Sequence, residues 1–334
     1  MSRRRVFSLL AVLLFVILLA YGGASWKLFD AISHVDAHCG FDSAGAPRFT
    51  GYTPASFGSS GLSAQLAAKV DLAGYEMPDF QDVALDSRDG LRLAAWWIPA
   101  AKPDAPVVIM AHGAGSCRRD PVMLLPAGML HRNGFAVLMV DLRNQGDSMI
   151  TDGRFAGGTR EYLDVLGAWD WVRARGIPAA RIGIFGESNG ASTVVIAAGA
   201  ETQVAATWED SGYADTWAAI SEEVQRRGFP EQLTFGARLW GQLYGIDLDQ
   251  HRPIDAIASI DNRPLMIVQG TADTRVDPIN AVEFSAALDK VRGHPNPASL
   301  WLVPEAQHVQ SAWLDPAGYE QRLVAFFGSA LGSR

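Results

Sequence analysis

The sequence predicts an α/β fold in which a mostly parallel, twisted sheet carries helices on both faces. Apolar runs of strand length recur after Phe80 and alternate with helical segments, a pattern typical of parallel sheets. Hydrophobic residues make up 49% of the 334 residues, which is enough for a large core. The net charge of −8, with no basic stripe beyond the first five residues, argues against nucleic-acid binding.

An N-terminal membrane anchor or signal is predicted over residues 1–26. Three arginines at positions 3–5 precede an apolar run over residues 6–21, and small residues then lead to Trp26. The positive-inside rule keeps the arginines in the cytoplasm and places the rest of the chain on the extracytoplasmic side of the membrane. We favour an uncleaved single-pass anchor. The alternative is a signal cleaved at residues 22–24, which would give a secreted or periplasmic protein.

Residues 27–79 are predicted to form a tether that lies over the surface. They are rich in Gly, Ala, Ser and Thr, with a short helix expected near residues 63–72. Cys39 lies in this segment, and Cys117 is the second of the two cysteines in the chain. The two thiols pair in an oxidising compartment or both stay free, and the sequence leaves this open.

Residues 80–334 are predicted to form the globular domain. Two alternating runs around residues 88–90 indicate a hairpin, which adds an antiparallel edge to the sheet. "APVVIMAHGAG", "GFAVLMVDLR" and "RIGIFGES" are typical of strands buried on both faces, and "VAATWED", "PLMIVQGTAD" and "ASLWLVPEAQH" follow the same pattern. Helices are expected near residues 121–131, 159–175 and 191–200.

The interval of about 211–262 interrupts this alternation. It contains no strand pattern and is predicted to form two or three helices, which we expect to make a small cap over the carboxyl ends of the strands. Aromatic and aliphatic side chains in the cap could line an acyl pocket. Apolar residues at helical spacing more often pack into a core.

Ser188 is the predicted nucleophile. It follows a buried strand, precedes a helical segment, and stands between Gly186 and Gly190. Ligands of open parallel sheets bind beyond the carboxyl ends of the strands, so this serine is placed in the ligand crevice. A tight turn crowds the positions two residues on either side, and glycine relieves that crowding. The helix that follows directs its N-terminal N–H groups toward the same place.

A serine hydroxyl needs a base and the base needs an orienting carboxylate. His308 is the predicted base because it leaves the last predicted strand on the crevice side. Asp273, at the end of "PLMIVQGTAD", is the predicted carboxylate. Asp277 is the runner-up, although Pro278 after it indicates a helix start, and Asp210 is a weaker candidate.

The oxyanion formed in acyl transfer requires hydrogen-bond donors. The backbone N–H groups of Asn189 and Ala114 are the predicted oxyanion hole, and Gly113 lets the chain turn before Ala114. His112 is interpreted as a residue that shapes this loop. The proposed chemistry requires no metal and no organic cofactor.

These residues resemble the α/β-hydrolase superfamily. Residues 186–190 resemble its nucleophile elbow, and the order Ser–Asp–His along the chain matches its triad. "HGAG" at residues 112–115 is similar to the oxyanion loop, and "VDLRNQGDS" at residues 140–148 is similar to the segment after the next strand. The resemblance covers roughly residues 80–332 and is nearest to membrane-anchored bacterial serine hydrolases related to the catalytic domain of prolyl-oligopeptidase-type enzymes.

The resemblance implies a serine hydrolase that cleaves a small-molecule carboxylic ester, or a thioester, through an acyl-enzyme on Ser188. The stretch before Phe80 is too short for the large propeller of prolyl oligopeptidases, which favours an esterase. Two alternatives stay open: a peptidase or acylaminoacyl hydrolase, and a non-catalytic, membrane-tethered binding protein of the same fold.

Overall fold

The computed structural model describes residues 3–35, 39–40, 46 and 48–332. The rest of the predicted tether, residues 36–38, 41–45 and 47, lies outside the described residues. The helices are α1 (Arg3–Ser33), α2 (Ala64–Ala67), α3 (Pro121–Arg132), α4 (Tyr162–Arg173), α5 (Asn189–Ala200), α6 (Thr216–Arg226), α7 (Leu233–Leu243), α8 (Pro253–Ala256), α9 (Ile279–Arg292), α10 (Ser311–Leu314) and α11 (Pro316–Leu331). The strands are β1 (Gln81–Asp86), β2 (Arg92–Ile98), β3 (Val107–Ala111), β4 (Ala136–Val140), β5 (Ile182–Glu187), β6 (Ala206–Asp210), β7 (Leu265–Gly270) and β8 (Leu300–Val303).

The strands form one sheet with the order β1-β2-β4-β3-β5-β6-β7-β8. The pairs β1–β2 and β2–β4 are antiparallel, and all the remaining pairs are parallel. Parallel neighbours require crossover connections, and helices supply them between β3 and β8. The predicted fold class, with its N-terminal antiparallel hairpin, is confirmed.

Two apolar cores cover the two faces of the sheet. Strand side chains alternate between them: Val107 and Ile109 of β3 face one core, and Val108 and Met110 face the other. Helices α4, α5 and α9 pack on the first face, and α3, α10 and α11 pack on the second. Both faces of the central strands are therefore buried, which explains why their sequences are continuously apolar.

A third apolar cluster joins α1 to the cap. Helices α6, α7 and α8 follow β6, as expected for residues 211–262. Leu28, Phe29 and Ile32 of α1 pack against Val224 of α6 and Ala237 of α7. The first part of α1 is exposed, and α1 is the one helix of the described residues that is long and apolar enough to cross a membrane. It continues past Trp26 to Ser33 because its last turns have this apolar partner.

The segment before β1 contributes to the main core. Four of its side chains are buried in the second core: Phe57, Leu66, Tyr75 and Met77. The stretch is therefore part of the folded domain and also connects α1 to β1. Within the expected helix near residues 63–72, the structure has only the single turn of α2. Cys39 and Cys117 form a disulfide, which ties the segment after α1 to the loop after β3.

Candidate active site

The predicted nucleophile stands on the turn between β5 and α5. Ser188 has φ 55° and ψ −124°, a backbone conformation that is rare for a residue with a Cβ. Its N–H donates to the carbonyl oxygen of Asp210 on the neighbouring strand at 2.9 Å. The sheet therefore holds a strained residue that points its side chain away from the strand end.

Close backbone approach explains the two glycines of the turn. A Cβ on Gly186 would collide with the carbonyl of Gly190, and a Cβ on Gly190 would lie 2.6 Å from the carbonyl oxygen of His112. Backbone atoms cannot move aside as a flexible side chain can. At Gly113, an added Cβ would lie 3.1 Å from the Cβ of Ser188. Gly186 thus lets the turn close on itself, and Gly190 and Gly113 let the turn and the end of β3 approach each other.

Three predicted side chains meet at the carboxyl edge of the sheet. His308 Nε2 lies 2.9 Å from Ser188 Oγ, and His308 Nδ1 lies 2.8 Å from Asp273 Oδ2. Nδ1–H donates to the carboxylate, which leaves Nε2 as the acceptor for the serine hydroxyl. Asp277 lies outside this arrangement, since its carboxylate accepts from the N–H of Ile279 at the start of α9.

The Asp273 carboxylate is buried and fully engaged. Its Oδ1 accepts from the N–H groups of Arg275 and Val276 at 2.7 and 3.0 Å, and its Oδ2 also accepts from Gln269 Nε2 at 2.8 Å. Burial alone would raise the pKa of Asp273, but the hydrogen bond from His308 and these backbone donors lower it below the usual value. The carboxylate therefore stays ionised at neutral pH beside the imidazole.

Two backbone N–H groups are available for an oxyanion. Ala114 and Asn189 both line the cavity in front of Ser188. Among the residues that the structure describes, neither backbone N–H donates a hydrogen bond. The Asn189 side chain is held separately, because its Oδ1 accepts from the hydroxyl of Tyr213 at 2.5 Å.

The loop after β3 is braced by the segment after β4. His112 is fully buried, and its Nε2 accepts from the N–H of Leu142 at 3.0 Å. Gln145 Oε1 accepts from the N–H of Gly115 at 2.5 Å, and Asp141 Oδ1 accepts from the N–H of Arg118 at 2.7 Å. Burial lowers the pKa of His112, so it is a neutral structural side chain.

Sequence reasoning missed the buried hydrogen-bond network around Asp210, although it included Asp210 as a weaker candidate for the orienting carboxylate. Asp210 Oδ2 accepts from the hydroxyl of Tyr319 at 2.6 Å, and its Oδ1 accepts from Ser211 at 2.8 Å. Ser211 Oγ in turn accepts from the N–H of Val309, next to His308. Burial raises the pKa of Asp210 to about 6. The only sequence signal for this network is a polar run at the end of an apolar strand.

A cavity of about 220 Å³ opens in front of Ser188. Its walls come from α1, from the loops after β3, β4, β5, β6 and β7, and from α6. The lining residues are Ala31, Ile32, His34, Val35, Ala114, Gly115, Phe155, Ser188, Asn189, Tyr213, Thr216, Ala219, Ile220, Glu223, Arg226, Arg227, Arg275 and Val276. We call it the Ser188 cavity. Among the described residues, no group of three or more His, Cys, Asp or Glu side chains is arranged to hold a metal ion.

An eight-stranded sheet of this order, with a serine on a strained strand-to-helix turn, defines an α/β-hydrolase fold. The family model of the prolyl oligopeptidase family matches residues 125–334, more than half of the chain. The chain belongs to this family, and it is a serine hydrolase by class.

The chain is similar to curated relatives over most of its length, and solved structures share its fold. The uncharacterized protein YfhR of Escherichia coli K12 is 27% identical over 258 residues, covering 75% of this chain and 81% of its own length. An uncharacterized Mycobacterium tuberculosis protein is 28% identical over 255 residues, covering 75% of this chain and 79% of its own length. The Pyrococcus furiosus esterase Pf2001 has a TM-score of 0.62 at 24% identity, covering 76% of this chain and 94% of its own. A Mycobacterium tuberculosis puromycin-hydrolyzing peptidase has a TM-score of 0.61 at 18% identity, covering 78% of this chain and 40% of its own. The predicted membership of the α/β-hydrolase superfamily is confirmed.

Proposed function

We propose that this protein cleaves carboxylic esters through an acyl-enzyme on Ser188. The observation that carries the proposal is the hydrogen-bonded chain from Ser188 Oγ through His308 to Asp273, with N···O distances of 2.9 and 2.8 Å. Serine is a weak nucleophile until a base removes its proton, and His308 Nε2 is within reach to do so.

The reaction has two halves. His308 takes the proton of Ser188 as Oγ attacks the ester carbonyl, and the N–H groups of Ala114 and Asn189 bind the oxyanion. His308 then gives the proton to the departing alcohol, which leaves an acyl-serine. Water attacks this ester by the same route and restores the hydroxyl. Asp273 orients the imidazole and stabilises its protonated form in both halves.

Membership of the prolyl oligopeptidase family supports a second candidate, cleavage of short peptides or aminoacyl amides. The charges of the Ser188 cavity favour the ester. Among its lining residues, the one carboxylate is Glu223, which already pairs with Arg226 and Arg227. The ammonium group of an aminoacyl substrate would therefore meet arginines and lack a free carboxylate partner.

A fluorophosphonate probe and a chromogenic ester test the proposal. The wild-type chain is expected to be labelled and to hydrolyse p-nitrophenyl acetate. Ser188→Ala should lose the label and lower kcat by a factor on the order of 10⁴ or more. Ser329→Ala is the matched control, because its hydroxyl bonds only the carbonyl of Phe326 at the surface.

Two outcomes would select the alternatives. Faster cleavage of aminoacyl p-nitroanilides than of acyl esters would favour the peptidase. A folded wild-type chain that takes no label would favour the non-catalytic binding protein.

We also propose that α1 is an uncleaved anchor with the hydrolase on the extracytoplasmic side. One residue of the alternative cleavage site contacts the cap, since Gly22 O accepts from Trp240 Nε1 at 3.0 Å, and Ser25 directly after the site is buried. The Cys39–Cys117 disulfide supports an oxidising compartment. Retention of the chain in carbonate-washed membranes, with residues 22–24 present by mass spectrometry, is the expected result. A soluble chain that starts after Ala24 would contradict it.

A further inference from the structure

A second, small cavity of about 20 Å³ lies between α1, α6 and α7. Its lining is mostly apolar: Phe29, Ile32, Ser33, Phe155, Trp217, Ile220, Ala237, Arg238, Gly241, Ile246 and Leu248. Ser33 Oγ donates to the carbonyl of Phe29 and Arg238 pairs with Asp249, so the indole N–H of Trp217 is the one polar side-chain group of the lining that has no partner among the described residues. A single donor is fewer than the two to four polar partners that a buried water needs, so this space suits a hydrocarbon group. We call it the side cavity.

Three apolar side chains line both cavities. Ile32 of α1, Phe155 and Ile220 of α6 border the side cavity on one side and the Ser188 cavity on the other. Ile32 is buried, whereas the other two are partly buried. These three side chains form the wall between the two spaces, and we call them the partition.

The Ser188 cavity lies on the acyl side of the nucleophile. It is lined by both predicted oxyanion donors, Ala114 and Asn189, whereas His308 is not among its lining residues. The leaving alcohol must be near His308 Nε2, because it takes its proton from that atom. The acyl group, which stays on Ser188, therefore extends away from His308 into the cavity that the partition closes.

The size of the Ser188 cavity limits this acyl group. Its volume of about 220 Å³ is below the roughly 300–1,000 Å³ that is usual for ligand pockets. The partition thus blocks a longer chain from the apolar space behind it. Of the three side chains, Ile32 is the one that the N-terminal helix supplies.

We infer that Ile32 sets the acyl-chain length that this hydrolase accepts, so that α1 is part of the substrate site. This inference rests on the proposed ester hydrolysis. Shortening Ile32 joins the Ser188 cavity to the side cavity and admits a longer acyl chain. Lengthening it closes the Ser188 cavity further and excludes all but the shortest acyl groups.

The test uses the full-length chain in detergent with p-nitrophenyl acetate, butyrate, hexanoate and octanoate. In Ile32→Ala, the ratio of kcat/KM for hexanoate to that for butyrate is expected to rise about tenfold, the size of effect that methylene groups have in apolar pockets. Ile32→Phe should shift the profile toward acetate. Ile246→Ala is the matched control, because Ile246 lines only the side cavity and leaves the partition intact.

The outcomes separate this inference from the proposed function. If the wild-type chain hydrolyses none of the esters, the proposed function fails and the inference fails with it. If acetate is hydrolysed but Ile32→Ala keeps the wild-type profile, only the inference is overturned. An equal shift in Ile246→Ala would also overturn it. So would a shift that appears only in a series of alkyl acetates, in which the length of the alcohol varies and the acyl group does not. Ile32→Val, which removes a single methyl group, repeats the test with a smaller expected shift should Ile32→Ala fail to fold.

Discussion

The Nδ1–H of His308 donates to Oδ2 of Asp273 at 2.8 Å, and the receiving carboxylate is buried. Gln269 Nε2 and two backbone N–H groups also donate to this carboxylate, so its orientation is fixed from three directions. A fixed acceptor selects the tautomer of His308 in which Nε2 is free to accept the proton of Ser188.

Asp273→Asn should lower kcat for p-nitrophenyl acetate by a factor on the order of 10⁴. An amide cannot stabilise the imidazolium as a carboxylate does, and it favours the wrong tautomer. Steady-state kinetics on the full-length chain would measure the effect. Asp277→Asn is the control, since Asp277 caps α9 and makes no contact with His308. Equal losses in the two variants would contradict the assignment of Asp273.

Gly190→Ala should destabilise the fold and reduce fluorophosphonate labelling. The new Cβ would collide with the carbonyls of Ala111 and His112, and backbone there cannot yield without moving β3. Overpacking of this kind costs about 1–3 kcal/mol. Thermal unfolding would show the lower midpoint. Gly23→Ala in α1, where a Cβ meets nothing within 4 Å, should keep the wild-type midpoint.

The nucleophile turn could be predicted because its signals are local. Gly186, Ser188 and Gly190 lie within five residues, and the strand and helix on either side have clear patterns of their own. Asp273 and His308 could be placed because each follows a predicted strand at the ligand-binding edge. By contrast, nothing near Gln269 or Asp210 in the sequence says which distant side chain each one meets.

The sequence did not show that the segments before β1 contribute to the core and to the Ser188 cavity, and the reason is different. Small and polar residues between Phe57 and Met77 dominate the composition, while the few apolar ones find partners on α3 and in the core. In the same way, Ile32 is one apolar residue at the end of an apolar helix. Its place beside Ser188 depends on how α1 packs on the cap, which no pattern within α1 encodes.

Removing the disulfide should weaken both stability and turnover. The bond closes a separation of 78 residues, for which the chain-entropy model gives about 4.5 kcal/mol. Cys117 also lies in the loop that carries Ala114, so kcat should fall when the loop is released. Urea unfolding and kinetics of the variant with Cys39→Ser and Cys117→Ser would measure both effects. A reductant should change the wild type and leave this variant unaffected.

Asp210→Asn should flatten the pH dependence of stability. Burial raises the pKa of Asp210 from 3.8 to about 6, so the folded chain holds this proton more tightly than the unfolded chain. Stability from this group is therefore present below about pH 4 and is lost as the pH rises to about 6. Two pKa units correspond to roughly 3 kcal/mol.

Urea unfolding at several pH values between 4 and 7 would test this expectation. The variant should gain stability relative to the wild type as the pH rises. Asp255→Asn, at an exposed carboxylate of α8, should follow the wild-type curve. A parallel curve for Asp210→Asn would rule out the expected contribution.

The outer face of α7 should lie in the headgroup region at the membrane surface. Phe235, Leu239 and Leu243 share one face of the helix and are 66%, 47% and 76% exposed. Helix α7 packs along α1 where Tyr21 donates to the carbonyl of Gln232, close to the apolar exposed part of α1. A fluorophore on Leu239→Cys in proteoliposomes should be quenched by doxyl lipids, and one on Arg322→Cys of α11 should not. Equal quenching at both positions would argue against this orientation.

The unbroken course of α1 has a consequence for which molecules can be reached. Eleven residues separate Tyr21 from Ile32, which at the rise of an α-helix is roughly 16 Å along its axis. If α1 is the proposed anchor and Tyr21 lies at the water–lipid boundary, the length of the helix fixes the height of Ser188 above the bilayer. For the proposed ester hydrolase, a substrate that lies among the acyl tails would have to move out of its leaflet to reach Ser188. One displayed at headgroup level, or passing through the adjacent water layer, would already be within range.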